Sequence, residues 1–330
     1  MEKKERDYYF DNLKAVLIFL VVLGHFLLPI HDNAVLVILK RLIYVFHMPL
    51  FVFVSGYFAK TIYRNGTFNF KRILYLIKAY ILFVIAIQLV YVLAGFRSFA
   101  QINFFAQSGA PWYLFAMIAW YLCIPLIRRL HPAVVLGGSV LLALAAGYFR
   151  QIGDFLCLSR ILVFGPFFYL GYYMKKEDIQ KVLSPKLKKP VITAASGICI
   201  GILLFGDRLH DELSMVYENI SYFELDHWAE GAIVRLVLMV CAVFLSWAVM
   251  FLVPDRKTQI SFIGERTMPV YMLHRLIRDI LMFMGMYDYL EQLDLLSVLL
   301  LICVAICLTF WLSSEWVTKQ VNRVLRLRLW

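Results

Sequence analysis

The chain has 330 residues, 62% of them hydrophobic, with a mean hydropathy of +0.76 and a formal net charge of +11. A soluble domain of this length is nearer half apolar, so the composition excludes an ordinary globular domain and indicates a multi-span membrane protein. The excess charge does not point to a nucleic-acid partner, because the basic residues sit between apolar runs, where loop charge that sets membrane topology accounts for them.

Ten apolar runs are long enough to cross a bilayer with some tilt: 13–30, 34–58, 74–95, 111–130, 132–149, 158–174, 190–206, 229–253, 268–286 and 295–316. The first follows a basic start and ends in Leu28-Pro29-Ile30-His31 without a small-residue cleavage pattern, so it reads as a retained signal anchor. It contains Lys14 and His25, eleven positions apart. At about 100° per residue, eleven steps make three turns with about 20° left over, which puts both residues on one helix face, roughly 16 Å apart along the axis. Asp11 precedes Lys14 by three positions, at the spacing of an ion pair, and reads as a positioning residue. Ionisable side chains in a span are costly and usually face a bundle interior or a wet cavity. A cation near one membrane face and an imidazole deeper in suit a charged donor whose reactive end reaches into the bilayer. There His25 would act as general base or take the acyl group itself.

The second run holds His47-Met48-Pro49-Leu50-Phe51 and then Ser55-Gly56. Pro49 cannot donate to the carbonyl four residues back, so a kink is expected, with His47 and Ser55 giving polar groups at bundle depth. Gly56 permits close helix packing. The following inside loop carries Lys60, Arg64, Lys71 and Arg72, which are candidates for the phosphates of a nucleotide-bearing donor as well as ordinary topology charge. Trp112 and Tyr113 open the fourth run, either as a cavity wall or as interface anchors. Arg160 opens the sixth. The long segment 207–228 is acidic and reads as a solvated loop, with an acceptor entrance as the alternative. Arg275, Arg278 and Asp279 interrupt the ninth run, which is expected to be tilted or re-entrant with those charges facing protein. Tyr271 lies three residues before His274 on the same face.

With the N-terminus inside, the inside segments carry 22 basic residues and the outside loops only Arg97, Arg150 and Arg208, so both termini are expected in the cytoplasm. Cys123, Cys157, Cys199, Cys241, Cys303 and Cys307 lack metal-ligand spacing and lie in or beside apolar runs, so neither a metal site nor a disulfide framework is read. No glycine-rich phosphate loop is present, which argues against an ATP-driven pump. No second soluble domain and no internal repeat is read.

These blocks, in order, resemble the acyltransferase-3 family of integral membrane proteins, particularly its sugar O-acetylase branch. The family pattern of a basic residue, ten residues and a histidine matches Lys14 and His25, with an acidic residue at Asp11. The later family blocks match His47–Gly56, Trp112-Tyr113-Leu114, Pro166–Gly171 and Tyr271–His274, so that the resemblance covers roughly 6–316. It implies transfer of an acyl group, usually acetyl, from cytoplasmic acetyl-CoA or another acyl-CoA to a hydroxyl of a cell-surface carbohydrate or its lipid-linked precursor, in a bacterial inner membrane. No tightly bound cofactor is implied.

The sequence therefore predicts an all-α, polytopic membrane helix bundle of about ten spans, one domain over 1–330. His25 is expected to be catalytic. Lys14, Lys60, Arg64, Lys71 and Arg72 are expected at the donor. Asp11, His47, Ser55, Trp112, Tyr113, Arg160, Tyr271 and His274 are expected to line the cavity or bind the acceptor. The alternative is a transporter, exporter or ligand-sensing module using the same cavity without acyl chemistry.

Overall fold

The computed structural model describes residues 7–31, 33–64, 66–105, 109–153, 155–209, 213, 215, 221–224, 228–291 and 293–326. The helices, in chain order, are α1 (Tyr8–Leu27), α2 (Ala34–Ala59), α3 (Phe70–Leu93), α4 (Trp112–Ile127), α5 (Pro132–Ala146), α6 (Leu158–Tyr173), α7 (Lys176–Val182), α8 (Pro185–Phe205), α9 (Gly231–Leu252), α10 (Ser261–Glu265), α11 (Thr267–Phe283), α12 (Met286–Glu291), α13 (Asp294–Leu312) and α14 (Glu315–Arg326). A short antiparallel hairpin, β1 (Tyr63–Arg64) with β2 (Thr67–Phe68), joins α2 to α3.

Local chemistry marks the helix starts. The Asn33 side chain accepts the Leu36 N–H at 3.1 Å, and that of Asn69 accepts the Arg72 N–H at 3.2 Å. Each satisfies one of the N–H groups left without a partner at a helix start. Pro132 and Pro185 stand in the first turns of α5 and α8, where a missing N–H loses no helical bond.

Each of the ten predicted runs holds one long helix. Five of these, α1, α2, α3, α8 and α9, are long and apolar enough to cross a membrane, and the pair α13–α14, bent by 62°, is a sixth candidate. Helices α4, α5, α6 and α11 have 16, 15, 16 and 17 residues, short of the roughly 20 that a full crossing needs. The chain is thus an all-α membrane bundle in which five or six helices among the described residues have the length and apolar composition to cross; the ten expected spans are not established by these helices. Leu74, Leu93, Leu126, Leu141, Leu204 and Ile233 are all more than half exposed. An apolar exterior of this extent suits hydrocarbon rather than water.

Helix α1 is the central post. Leu13, Leu17, Ile18, Val22, Phe26 and Leu27 are fully enclosed, with α2, α10, α11 and α13 packed around them. Helix α2 lies most extensively on α6. Their crossing is set by two glycines acting in opposite directions: a Cβ on Gly56 would collide with the Phe168 carbonyl, and a Cβ on Gly171 with the Phe53 carbonyl. Such small residues let two backbones approach closely inside a membrane. Helix α2 runs through Pro49 without a break.

The charges in α11 face protein, as the sequence suggests. Asp279 is fully buried and meets Arg275 Nε at 3.0 Å and Arg278 Nη2 at 2.8 Å. Most of the acidic segment 207–228 lies outside the described residues.

Candidate active site

The site is built on α1. Near its N-terminus Lys14 Nζ lies 2.9 Å from Asp11 Oδ1 and 5.4 Å from the centre of the Phe58 ring. Asp11 is buried and Lys14 about a quarter exposed. The turn that carries them is held by Asn12, which is fully enclosed. Its amide donates to the carbonyls of Pro254 and Arg256 at 2.9 and 2.8 Å. Its oxygen accepts from the hydroxyls of Thr258 and Ser261 at 2.6 and 2.7 Å. All four hydrogen-bonding positions of the amide are thereby used, and a buried group so fully satisfied fixes its surroundings. Gly264 completes the joint, since a Cβ there would strike the Asp11 carbonyl.

A chamber of about 310 Å³ opens beside Lys14. Ser55, Arg72, Tyr113, Tyr121 and Tyr271 also line it. Arg72 donates from Nη1 to the Thr61 hydroxyl at 2.8 Å, with its guanidinium 5.0 Å from the Tyr121 ring centre. The Ser55 hydroxyl donates to the Phe51 carbonyl at 2.8 Å and stands 2.6 Å from the Tyr113 hydroxyl, which therefore donates to it.

A second chamber, about 220 Å³, lies further along α1. His25, Tyr44, His47, Trp112, Arg160 and Arg275 are among its walls, and its described lining includes no carboxylate. Trp112 is buried and stacked on Phe164 at 5.0 Å, with the Arg160 guanidinium 5.6 Å from its ring centre. It is a cavity wall and not an interface anchor. His47 Nδ1 lies 2.7 Å from the Ile43 carbonyl. Tyr113 and Tyr271 separate the chambers: their rings meet edge to face at 5.5 Å, and the Tyr271 hydroxyl donates to the carbonyl of Ala110, a wall residue of the His25 chamber.

The structure thus gathers most of the residues singled out in the sequence. Lys14, Ser55, Arg72, Tyr113 and Tyr271 surround one chamber, with Asp11 on Lys14. His25, His47, Trp112 and Arg160 surround the other. His274 is wholly buried, its ring centre 5.1 Å from that of His25. Two residues expected at the donor are elsewhere. Lys60 donates to the Met174 carbonyl and lies over the Tyr57 ring at 4.1 Å. Lys71 is exposed and lines neither chamber. The Arg64 side chain lies outside the described residues. Sequence reasoning missed Arg275, Tyr44 and Tyr121 as lining residues, and Asn12 as the brace of the Lys14 turn. The signal for Arg275 was present, as a charge inside an apolar run.

A family model described as an acyltransferase domain matches residues 7–314, nearly the whole chain and every residue of both chambers. The chain belongs to the acyltransferase-3 family. Nodulation protein NolL of Sinorhizobium fredii is similar to this acyltransferase at 26% identity, over 86% of this chain and 82% of that protein. No solved structure matches it.

Proposed function

We propose that this membrane acyltransferase moves an acetyl group from cytoplasmic acetyl-CoA to a hydroxyl of a cell-surface carbohydrate or its lipid-linked precursor. The observation that carries the reading is the placement of Lys14 and His25 in adjoining chambers on one helix. Lys14 and Arg72 supply cations for the phosphates of the coenzyme A head. The Tyr113–Tyr271 ring contact has to part for the thin pantetheine arm to pass, and the arm then brings the thioester to His25, roughly 16 Å further along the axis. The acceptor occupies the His25 chamber, whose volume of about 220 Å³ and walls of histidine, arginine, tyrosine and tryptophan suit a sugar.

His25 takes the proton of the attacking hydroxyl on its ring nitrogen. The hydroxyl oxygen forms a bond to the thioester carbonyl carbon, the carbon–sulfur bond breaks, and the departing thiolate recovers the proton from His25. Arg160 and Arg275 line the chamber where negative charge develops on the carbonyl oxygen. A cell inner membrane location goes with this reading, and the bias of basic residues, counted over ten crossings that include the 15–17-residue helices, supports both termini and the Lys14 mouth in the cytoplasm. Family membership favours transfer over transport or sensing without chemistry.

Lys14→Ala is expected to raise the KM for acetyl-CoA about tenfold or more, the loss of one charge-assisted phosphate contact being worth about 1.5–3 kcal/mol. Its kcat should fall less, and Lys14→Arg should be milder. Steady-state coenzyme A release by purified protein checks this. A collapsed kcat at unchanged KM would remove Lys14 from the donor.

A further inference from the structure

The chambers and their neighbourhood contain three histidines, His47 and His274 buried and His25 half-buried on the chamber wall, and they are not equivalent. His47 and His274 each place Nδ1 against the carbonyl four residues back, Ile43 at 2.7 Å and Val270 at 2.8 Å. A carbonyl only accepts, so Nδ1 carries the hydrogen in both rings, and the neutral ring then has a lone pair on Nε2. In His274 that Nε2 is buried and has no hydrogen-bond partner among the described residues. The same holds for Nδ1 of His25. These two buried nitrogens belong to neighbouring rings, with centres 5.1 Å apart and planes inclined by 57°. His25 lines the chamber although its Nδ1 is buried, so the remainder of the ring forms the wall.

Neutral His25 has a single N–H. On Nδ1, it can be donated to His274 Nε2, directly after a small ring rotation or through one water, and both buried nitrogens are satisfied at once. On Nε2, two lone pairs are left buried side by side with no proton between them, an arrangement penalised at both atoms. We propose that His274 is a positioning residue that accepts the Nδ1–H of His25 and so holds His25 in the tautomer whose Nε2 lone pair faces the acceptor chamber. This rests on the reading of His25 as the base. His274 touches neither substrate. It makes the correct nitrogen basic and takes up part of the positive charge when His25 receives the hydroxyl proton, the part that an orienting group behind a catalytic histidine plays.

Two readouts test it. The first needs no turnover: ¹⁵N spectra of protein labelled at the histidine ring nitrogens, with the His25 signals assigned by their loss in His25→Ala. A neutral His25 protonated on Nδ1 is expected, and protonation on Nε2 would overturn the proposal. The second is kinetic. His274→Phe keeps the volume and removes the acceptor, while His274→Gln returns an acceptor oxygen near the Nε2 position. His274→Phe should lower kcat about 10²-fold or more with the KM for acetyl-CoA unchanged, and His274→Gln should stay within about tenfold of the parent. Equal losses in both variants, or full turnover by His274→Phe, would overturn it. If His25→Ala in the same assay matched the parent, the reading of His25 as base would fail, and the spectra would still decide the tautomer. Should His274→Phe not fold, the spectra of the parent protein decide alone.

Discussion

His25→Ala is expected to abolish acyl transfer, lowering coenzyme A release by about 10²–10⁴-fold, while the protein still purifies as a monodisperse species. The expectation rests on how the histidines are held. A structural histidine in a membrane bundle is normally bonded to a backbone carbonyl, and His47 and His274 are, to Ile43 and Val270. His25 has no such anchor, since its buried Nδ1 is without a hydrogen-bond partner among the described residues and its ring lies beside that of His274. Truncation therefore removes chemistry without breaking a backbone tie. It also enlarges a chamber that is already open, instead of cutting a new void into a close-packed core. Coenzyme A release and size-exclusion profiles of the two proteins check it. Near-normal release by the variant would exclude His25 as the base.

Gly56→Ala and Gly171→Ala are expected to be, with Gly264→Ala, among the most damaging single-methyl changes in the chain. Each added carbon would strike a carbonyl of the opposing helix, Phe168 in one case and Phe53 in the other, and a backbone carbonyl cannot turn aside as a side chain does. Overpacking of this kind costs about 1–3 kcal/mol and sometimes more. It would also push α2 away from α6, carrying His47 and Ser55 with it. Gly137→Ala is the internal control. Gly137 also lies in a helix, but an added Cβ meets nothing within 4 Å there, so alanine should stabilise by about 0.5–1 kcal/mol. Thermal unfolding in detergent ranks the three. A midpoint for Gly56→Ala equal to that of Gly137→Ala would mean that the helix crossing is looser than described.

Much of the fold could be read in the sequence, because hydropathy records what lipid and core demand. The run 34–58 corresponds to α2, Ala34–Ala59, and the run 229–253 to α9, Gly231–Leu252. Hydropathy starts the first run at residue 13, whereas α1 begins at Tyr8. Asp11 and Asn12 look like loop residues to any hydropathy measure, and partners such as Lys14 and the 254–261 segment make their burial affordable. Crossing length was the weaker inference, because hydropathy counts the apolar residues flanking a helix with the helix itself, and the helices inside four of the runs have only 15–17 residues.

The Lys14–His25 pair was legible because both residues lie on one helix and helical periodicity fixes their relation. Relations between helices were not legible. Lys60 and Arg72 look alike in sequence as basic residues of one inside loop. Yet the Lys60 ammonium turns to the Met174 carbonyl while Arg72 enters a chamber wall. That His274 stands behind His25, on a helix more than two hundred residues later, is a matter of tertiary packing alone.

The most direct test of the account is transfer itself. Purified protein in sealed vesicles of known orientation is given acetyl-CoA labelled in the acetyl group, on one face at a time, together with glycans and glycolipids extracted from the source membrane. The account predicts that label passes to glycan as a base-labile ester, matched by released coenzyme A, only when acetyl-CoA meets the face bearing the Lys14 mouth. Folded protein that leaves the thioester intact on both faces in the presence of these acceptors would contradict it.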